Sequence, residues 1–256
     1  MVARFRIEAA PPWGLACPFY LIISLTEKEG FMRRGGILAI AVLLLAGIPA
    51  LAADRTLVID NFSGKVDSKG IPLGWELKEN TGKADFKVEC ERGNYFFHLR
   101  SEDTSWTLVK SVNFDIREYP ILTWRWKLTK LPKGGDVRKK ETDDQAGQLY
   151  VQFPRFPEQV RSQIIGYVWD ASTPKGTVLD SPSANPPPTK IVVLQSGEEK
   201  LGQWITEKRN VYEDYKNLFG EEIPPQVKRV SLWINTQHTK SSAECFFDDI
   251  VFQKAH

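Results

Sequence analysis

Cysteine is scarce. The 256 residues hold three, Cys17, Cys90 and Cys245, and histidine is equally rare, with His98, His238 and His256. No Cys-x-x-Cys spacing and no paired histidines occur, so the usual zinc-site patterns are missing. There is no Gly-x-Ser-x-Gly elbow, which removes the nucleophile turn of α/β-hydrolases. A glycine-rich phosphate loop is also absent. Surplus charge of one sign is lacking as well. With the five basic and three acidic residues of positions 1–53 set aside, the remaining chain carries 29 of each. A nucleic-acid binder needs a clustered basic surface to displace counterions, so this balance argues against one. No internal repeat of propeller length is present. Nor is there an apolar run of the roughly 20 residues that span a bilayer.

The chain does contain a leader. Met32-Arg33-Arg34 forms a short basic region, Ile37 to Ile48 is uncharged and apolar, and Ala50-Leu51-Ala52 follows Pro49 as a small-x-small cleavage site. This order is that of a secretory signal peptide over residues 32–53. It implies a periplasmic or secreted protein with no membrane span in the mature chain. No cysteine follows the cleavage site, which argues against a lipid anchor. Residues 1–31 read as a non-native or disordered extension, and translation is expected to start at Met32. The rest, 54–256, reads as a single domain. An exported protein can keep a disulfide, and Cys90 with Cys245 is the available pair if their strands adjoin. The alternative is two buried small side chains.

The mature chain is rich in two-residue alternation, the period of a strand. Ile121 to Leu128 places Leu122, Trp124, Trp126 and Leu128 on one face, with Thr123, Arg125 and Lys127 on the other. Gln148 to Phe153 separates Leu149, Val151 and Phe153 from Gln148, Tyr150 and Gln152. Further strands are expected at 56–60, 84–90, 95–100, 106–110, 112–115, 163–170, 191–194, 230–235 and 245–252. Asn210-Val211-Tyr212-Glu213 reads as a capping box. Val211, Tyr215 and Leu218 follow at helical spacing, and Gly220 stops the run. The expectation is an all-β fold: a jelly-roll-like antiparallel β-sandwich with one short helix near the C-terminal third. The proline-rich stretch Ala171 to Thr189 is a long loop of the kind that often carries function.

Several short motifs occur together: Thr-Trp-Arg-Trp-Lys at 123–127, Asp143-Asp144 before Leu-Tyr-Val, Tyr167-Val168-Trp169, Asp214-Tyr215 ahead of Phe219-Gly220, and Phe247-Asp248-Asp249-Ile250. In this combination the chain resembles a bacterial family of exported proteins, domain-of-unknown-function family number three thousand and forty-seven. The resemblance covers Asp54 onward and implies no catalytic residues. More loosely, the first strand ending at Phe62 and the last strand around Asp248 are similar to galactose-binding-like sandwiches and carbohydrate-binding modules.

The residues themselves suggest a ligand face. Tyr150 lies between Gln148 and Gln152, Tyr167 and Trp169 share a face of their strand, and Arg125 and Lys127 oppose a greasy one. If these surfaces coincide, they form an aromatic floor with polar rims, suited to stacking sugar C–H faces and bonding hydroxyls. Packing is the competing role for Tyr167 and Trp169, and Trp124 and Trp126 read as core. His238 stands at a strand end, within reach of a ligand. Asp143 and Asp144 read as a strand-entry turn, as ion-pair partners of Arg125 or Lys127, as a sugar or metal contact, or as catalytic carboxylates. Asp60 and Asp249 would serve a structural calcium ion if the first and last strands adjoin; otherwise they bond backbone N–H groups. The leading expectation is an exported, non-catalytic sandwich that binds a carbohydrate or cell-envelope component. The alternatives are a glycan hydrolase or lyase using Asp143 or Asp144, and a structural envelope protein that meets other proteins.

Overall fold

Alternating apolar and polar residues build nearly every element. The computed structural model describes residues 55–183, 187–220 and 226–255. The leader, the Met32 start and Cys17 lie outside them. The strands are β1 (Thr56–Asp60), β2 (Trp75–Thr81), β3 (Asp85–Glu91), β4 (Asn94–Glu102), β5 (Ser105–Phe114), β6 (Ile121–Lys130), β7 (Gly147–Phe153), β8 (Gln163–Asp170), β9 (Val178–Asp180), β10 (Thr189–Ser196), β11 (Ile205–Asn210), β12 (Val227–Asn235) and β13 (Ser242–Gln253). Two helices join them, the four-residue α1 (Glu158–Arg161) and α2 (Val211–Phe219). None of the described helices is long and apolar enough to cross a membrane.

The strands form two sheets packed as an all-β sandwich. One has the order β11-β6-β13-β4-β3, with β1 also paired to β13; the other runs β2-β5-β12-β7-β8-β10-β9. Neighbours are antiparallel except β8 and β10, which run parallel. The 171–188 segment causes this exception: it contributes β9 to the sheet edge and brings the chain back in its original direction.

The apolar sets of the two sheets face each other. Leu122, Trp124, Trp126 and Leu128 of β6 are fully buried against residues that include Leu149, Val151 and Phe153 of β7 and Tyr167 and Trp169 of β8. Trp124 packs on Tyr167 and Trp126 on Trp169, with ring centroids 5.5 Å and 6.0 Å apart. Burying side chains of this size contributes about 1.5–3 kcal/mol each, and the sandwich has no other large core among the described residues. Helix α2 starts where expected: Asn210 Oδ1 accepts from the Glu213 backbone N–H at 3.1 Å. It ends at Gly220, whose φ of 65° favours glycine. Val211 and Tyr215 sink into the core.

Several expectations need correction. The two short strands expected at 106–110 and 112–115 are one continuous β5. Strands β2, β9 and β11 are additional: β9 is a three-residue edge strand inside the expected loop, and Trp-Glu-Leu-Lys-Glu-Asn-Thr and Ile-Thr-Glu-Lys-Arg-Asn are edge sequences with little apolar signal. Cys90 and Cys245 are not bridged to each other. Strand β4 lies between theirs, with Cys90 opposite Tyr95 and Cys245 opposite Leu99. Cys245 is a buried free thiol.

Candidate ligand-binding cleft

The outer face of the seven-stranded sheet carries the polar residues of β7, and its registers fix their neighbours. One cross-strand row is Val168, Gln148, Trp233 and Thr107; the next is Gly166, Tyr150, Ser231 and Val109; the third is Ile164, Gln152, Arg229 and Ser111. Strands rise about 3.4 Å per residue, so Gln148 to Gln152 spans roughly 13 Å. Gly166 makes room for the central ring: a Cβ there would stand 2.4 Å from Tyr150 Cε1. The Tyr150 and Trp233 rings lie 5.7 Å apart.

Loops raise walls around these rows and leave a cleft of about 350 Å³, within the usual range for small-ligand sites. Asp143 and Gln145 enter from the β6–β7 connection, Gln237 and His238 from the β12–β13 turn, and Ser181, Ser183 and Pro187 from the proline-rich segment. Beyond Gln152, Arg229 Nη1 meets Glu158 Oε2 of α1 at 3.0 Å. On the other flank, Val137 and Leu179 cover Val168, Ile191 and Val193 in a small separate apolar cluster.

The polar lining is braced by its own hydrogen bonds. Tyr150 donates its hydroxyl to Gln148 Oε1 at 2.7 Å. Gln148 Nε2 donates to Asn235 Oδ1 at 2.6 Å, and Asn235 Nδ2 donates to the Asp143 carbonyl at 2.6 Å. Trp233 Nε1 donates to Ser105 Oγ at 3.0 Å, which fixes its ring. Burial lifts the Tyr150 phenol well above its ordinary value, and the nearby Asp143 charge adds to this. That phenol therefore stays a neutral hydroxyl.

The adjacent aspartates diverge. Asp144 is fully buried and turned into the structure. It accepts from Asn235 Nδ2 at 3.1 Å, the Thr239 backbone N–H at 2.6 Å and Thr239 Oγ1 at 2.7 Å. This carboxylate staples the β12–β13 turn. Asp143 lines the cleft at 8% exposure. Gln145 Nε2 donates to it at 3.1 Å. Burial raises its carboxyl above the ordinary aspartate range, against the lowering effect of hydrogen bonds from Ser183 and Gln145 and the charge of His238. Neither aspartate forms an ion pair with Arg125 or Lys127.

The other expected residues lie elsewhere. Tyr167 and Trp169 do not share the Tyr150 face, because Tyr150 registers with Gly166 and Leu149 with Tyr167. Both are core residues. The Tyr167 hydroxyl donates to Asp214 Oδ2 at 2.7 Å, and Trp169 Nε1 to the Gly197 carbonyl at 3.0 Å. Arg125 and Lys127 lie on the outer face of the opposite sheet. Lys127 Nζ sits 4.2 Å from the Phe246 ring centre and 5.3 Å from that of Trp204.

Arg125 explains the fate of the expected calcium ligands. A bulge at Asp249, with φ of 49°, turns both Asp248 and Asp249 to the Arg125 side of β13. Arg125 pairs with Asp248, and its Nε lies 2.9 Å from Asp249 Oδ2. Asp60 does sit on the strand adjoining β13. Its carboxylate, however, accepts from Trp75 Nε1 at 2.7 Å and Lys110 Nζ at 2.9 Å. Asp60 and Asp249 thus each have a cation of the protein's own, and the described residues gather no metal-ligand cluster.

Sequence reasoning reached Gln148, Tyr150, Asp143 and His238 but missed Trp233, Asn235 and Gln237. Their strand, 230–235, was visible, and alternation separates Trp233 and Asn235 from Leu232 and Ile234. Its place beside β7 was not visible.

Comparison with curated proteins gives no match. Among solved structures, the family 11 carbohydrate-binding module of the cellulosomal cellulase Lic26A-Cel5E of Clostridium thermocellum aligns with a TM-score of 0.44 and 11% identity, over 78% of this chain and 95% of that one. The xyloglucanase domain of NopAA, a type three effector from Sinorhizobium fredii, aligns at 0.43 and 7%, over 71% and 94%. The family 30 carbohydrate-binding module of the C. thermocellum cellulase Cel9D-Cel44B aligns at 0.40 and 9%, over 71% and 91%. A family model matches residues 74–251, and the chain belongs to that family, described as protein of unknown function (DUF3047).

Proposed function

We propose that this is an exported, non-catalytic protein that binds a glycan in the cleft on the outer face of the seven-stranded sheet. The observation that carries the reading is the pairing of two half-buried aromatic rings, Tyr150 and Trp233, with a surround of amides and hydroxyls. Sugar rings present C–H faces that pack on aromatic faces, and hydroxyls that exchange hydrogen bonds with groups such as Gln148, Gln152 and Ser231. None of the described lining residues is Lys or Arg, so the cleft is poorly suited to phosphate or other strongly anionic ligands. Asp143 is the only carboxylate among the described residues of the lining. Glycoside hydrolysis ordinarily needs two carboxyls facing each other across the bond, about 5–9.5 Å apart, and this supports binding over cleavage. Export is supported by the leader at 32–53.

The test is affinity electrophoresis through gels carrying a panel of envelope and plant polysaccharides, with Trp233→Ala and Tyr150→Ala beside the wild type. Retardation on at least one glycan, reduced tenfold or more in the variants while their far-UV circular dichroism is kept, is the expected result. Uniform mobility across the panel would overturn the reading.

A further inference from the structure

The cleft has more acceptors than its own residues can satisfy. Asp143 is more than nine-tenths buried, and its partners are the neutral donors Gln145 and Ser183. No Lys or Arg pairs with it among the described residues, and the charge of His238 reaches it from the cleft wall. Gln237 Oε1, also in the lining, is buried without any hydrogen-bond partner. A buried carboxylate is costly unless a cation or several donors compensate it, and an orphaned buried acceptor is costly as well. Elsewhere in the molecule such acids are compensated: Asp248 has Arg125, Asp60 has Lys110, and Asp144 has four donors. The missing complement at Asp143 is a positive group made only of donors. The aromatic faces of Tyr150 and Trp233 fit the same requirement, because ring faces attract cations.

We propose that the cleft selects a glycan unit bearing a free ammonium group, an amino sugar that is not N-acetylated, with Asp143 as counter-ion and Gln237 Oε1 as a second acceptor. The proposal rests on the glycan reading and adds its substrate class. An ammonium supplies three donors and one positive charge, enough for both acceptors. An N-acetyl group at the same position removes the charge and leaves one donor.

The experiment is isothermal titration of the protein with three tetrasaccharides at about pH 6.5, below the ordinary range of an amine. The ligands are a glucosamine oligomer, its fully N-acetylated counterpart and a neutral glucose oligomer. The expected result is about tenfold or more tighter binding of the glucosamine oligomer, equivalent to about 1.4 kcal/mol. Asp143→Asn should remove that preference, and Gln237→Leu should reduce it. Equal affinity for the ammonium and N-acetyl forms, or a preference that survives Asp143→Asn, would overturn the ammonium assignment and leave the glycan reading standing. No binding of any oligomer, together with no retardation on the polysaccharide panel, would overturn both.

Discussion

At the scale of single residues, Asp143 and Asp144 show how little side-chain identity fixes on its own. They are neighbours with the same chemistry, yet one carboxylate is saturated with donors inside a turn and the other is held at the cleft without a Lys or Arg partner among the described residues. Asp144→Ala removes the acceptor for Asn235, His238 and Thr239. It should lower the unfolding free energy by on the order of 3 kcal/mol or more, as read by urea denaturation. Asp143→Asn should do the reverse. Burial raises the folded-state carboxyl above its unfolded value, so ionisation opposes folding at neutral pH. That penalty is present above the folded-state value and disappears as pH falls below the unfolded one, about 3.9. The variant should therefore melt above the wild type at pH 7, and the gap should close toward pH 3–4. The other charges that reach Asp143 are His238 and Asp144, both unchanged by the substitution. A gap that stays constant with pH would show that Asp143 carries no such penalty. The sequence Asp-Asp ahead of a strand offered both residues without ranking them, because the ranking depends on a turn 94 or more positions away.

At the scale of elements, legibility followed the strength of the apolar signal. Strands β6 and β7 alternate between large apolar and polar residues, and the sequence pattern puts the correct residues on each face. Helix α2 was read from its ends, since Asn210 and Gly220 carry the capping information locally. The strands β2 and β11 were missed for the opposite reason: edge strands bury little, so their sequences say little. The helix also makes a quantitative expectation. Asn210→Ala removes the acceptor for the Glu213 N–H and should cost about 1 kcal/mol with an unchanged denaturant slope. A cost near zero would mean that the burial of Val211 and Tyr215 alone holds the first turn.

At the scale of the whole molecule, a sandwich has two outer faces, and sequence periodicity cannot say which polar strand faces lie together. Each strand has one apolar side, and that side goes inward wherever the strand is placed. Arg125 and Lys127 of β6 and Gln148 and Tyr150 of β7 are all polar-face residues, close in the chain. They nevertheless end on opposite sides of the protein, because the connection after β6 crosses from one sheet to the other. Tyr167 and Trp169 went astray for a related reason. Strand β8 is apolar on both faces, with Val168 buried in the outer apolar cluster and Ile164 lining the cleft, so its pattern does not mark the inner side. The separation of faces can be tested directly. Arg125 is the partner of Asp248, which is 1% exposed. Arg125→Ala strands that carboxylate with Asn94 Nδ2 and its own neighbour's N–H as donors. Breaking a fully buried pair costs about 3–5 kcal/mol; because Arg125 is partly exposed, about 2 kcal/mol is the expected loss here. Glycan retardation should be unchanged, since the cleft lies across two sheets' thickness from the substitution. Trp233→Ala should show the opposite pattern: retardation lost, with a smaller loss of stability. If Arg125→Ala abolished retardation at a temperature where it stays folded, the ligand face would belong to the six-stranded sheet, with Lys127, Trp204 and Phe246 as its aromatic and cationic floor.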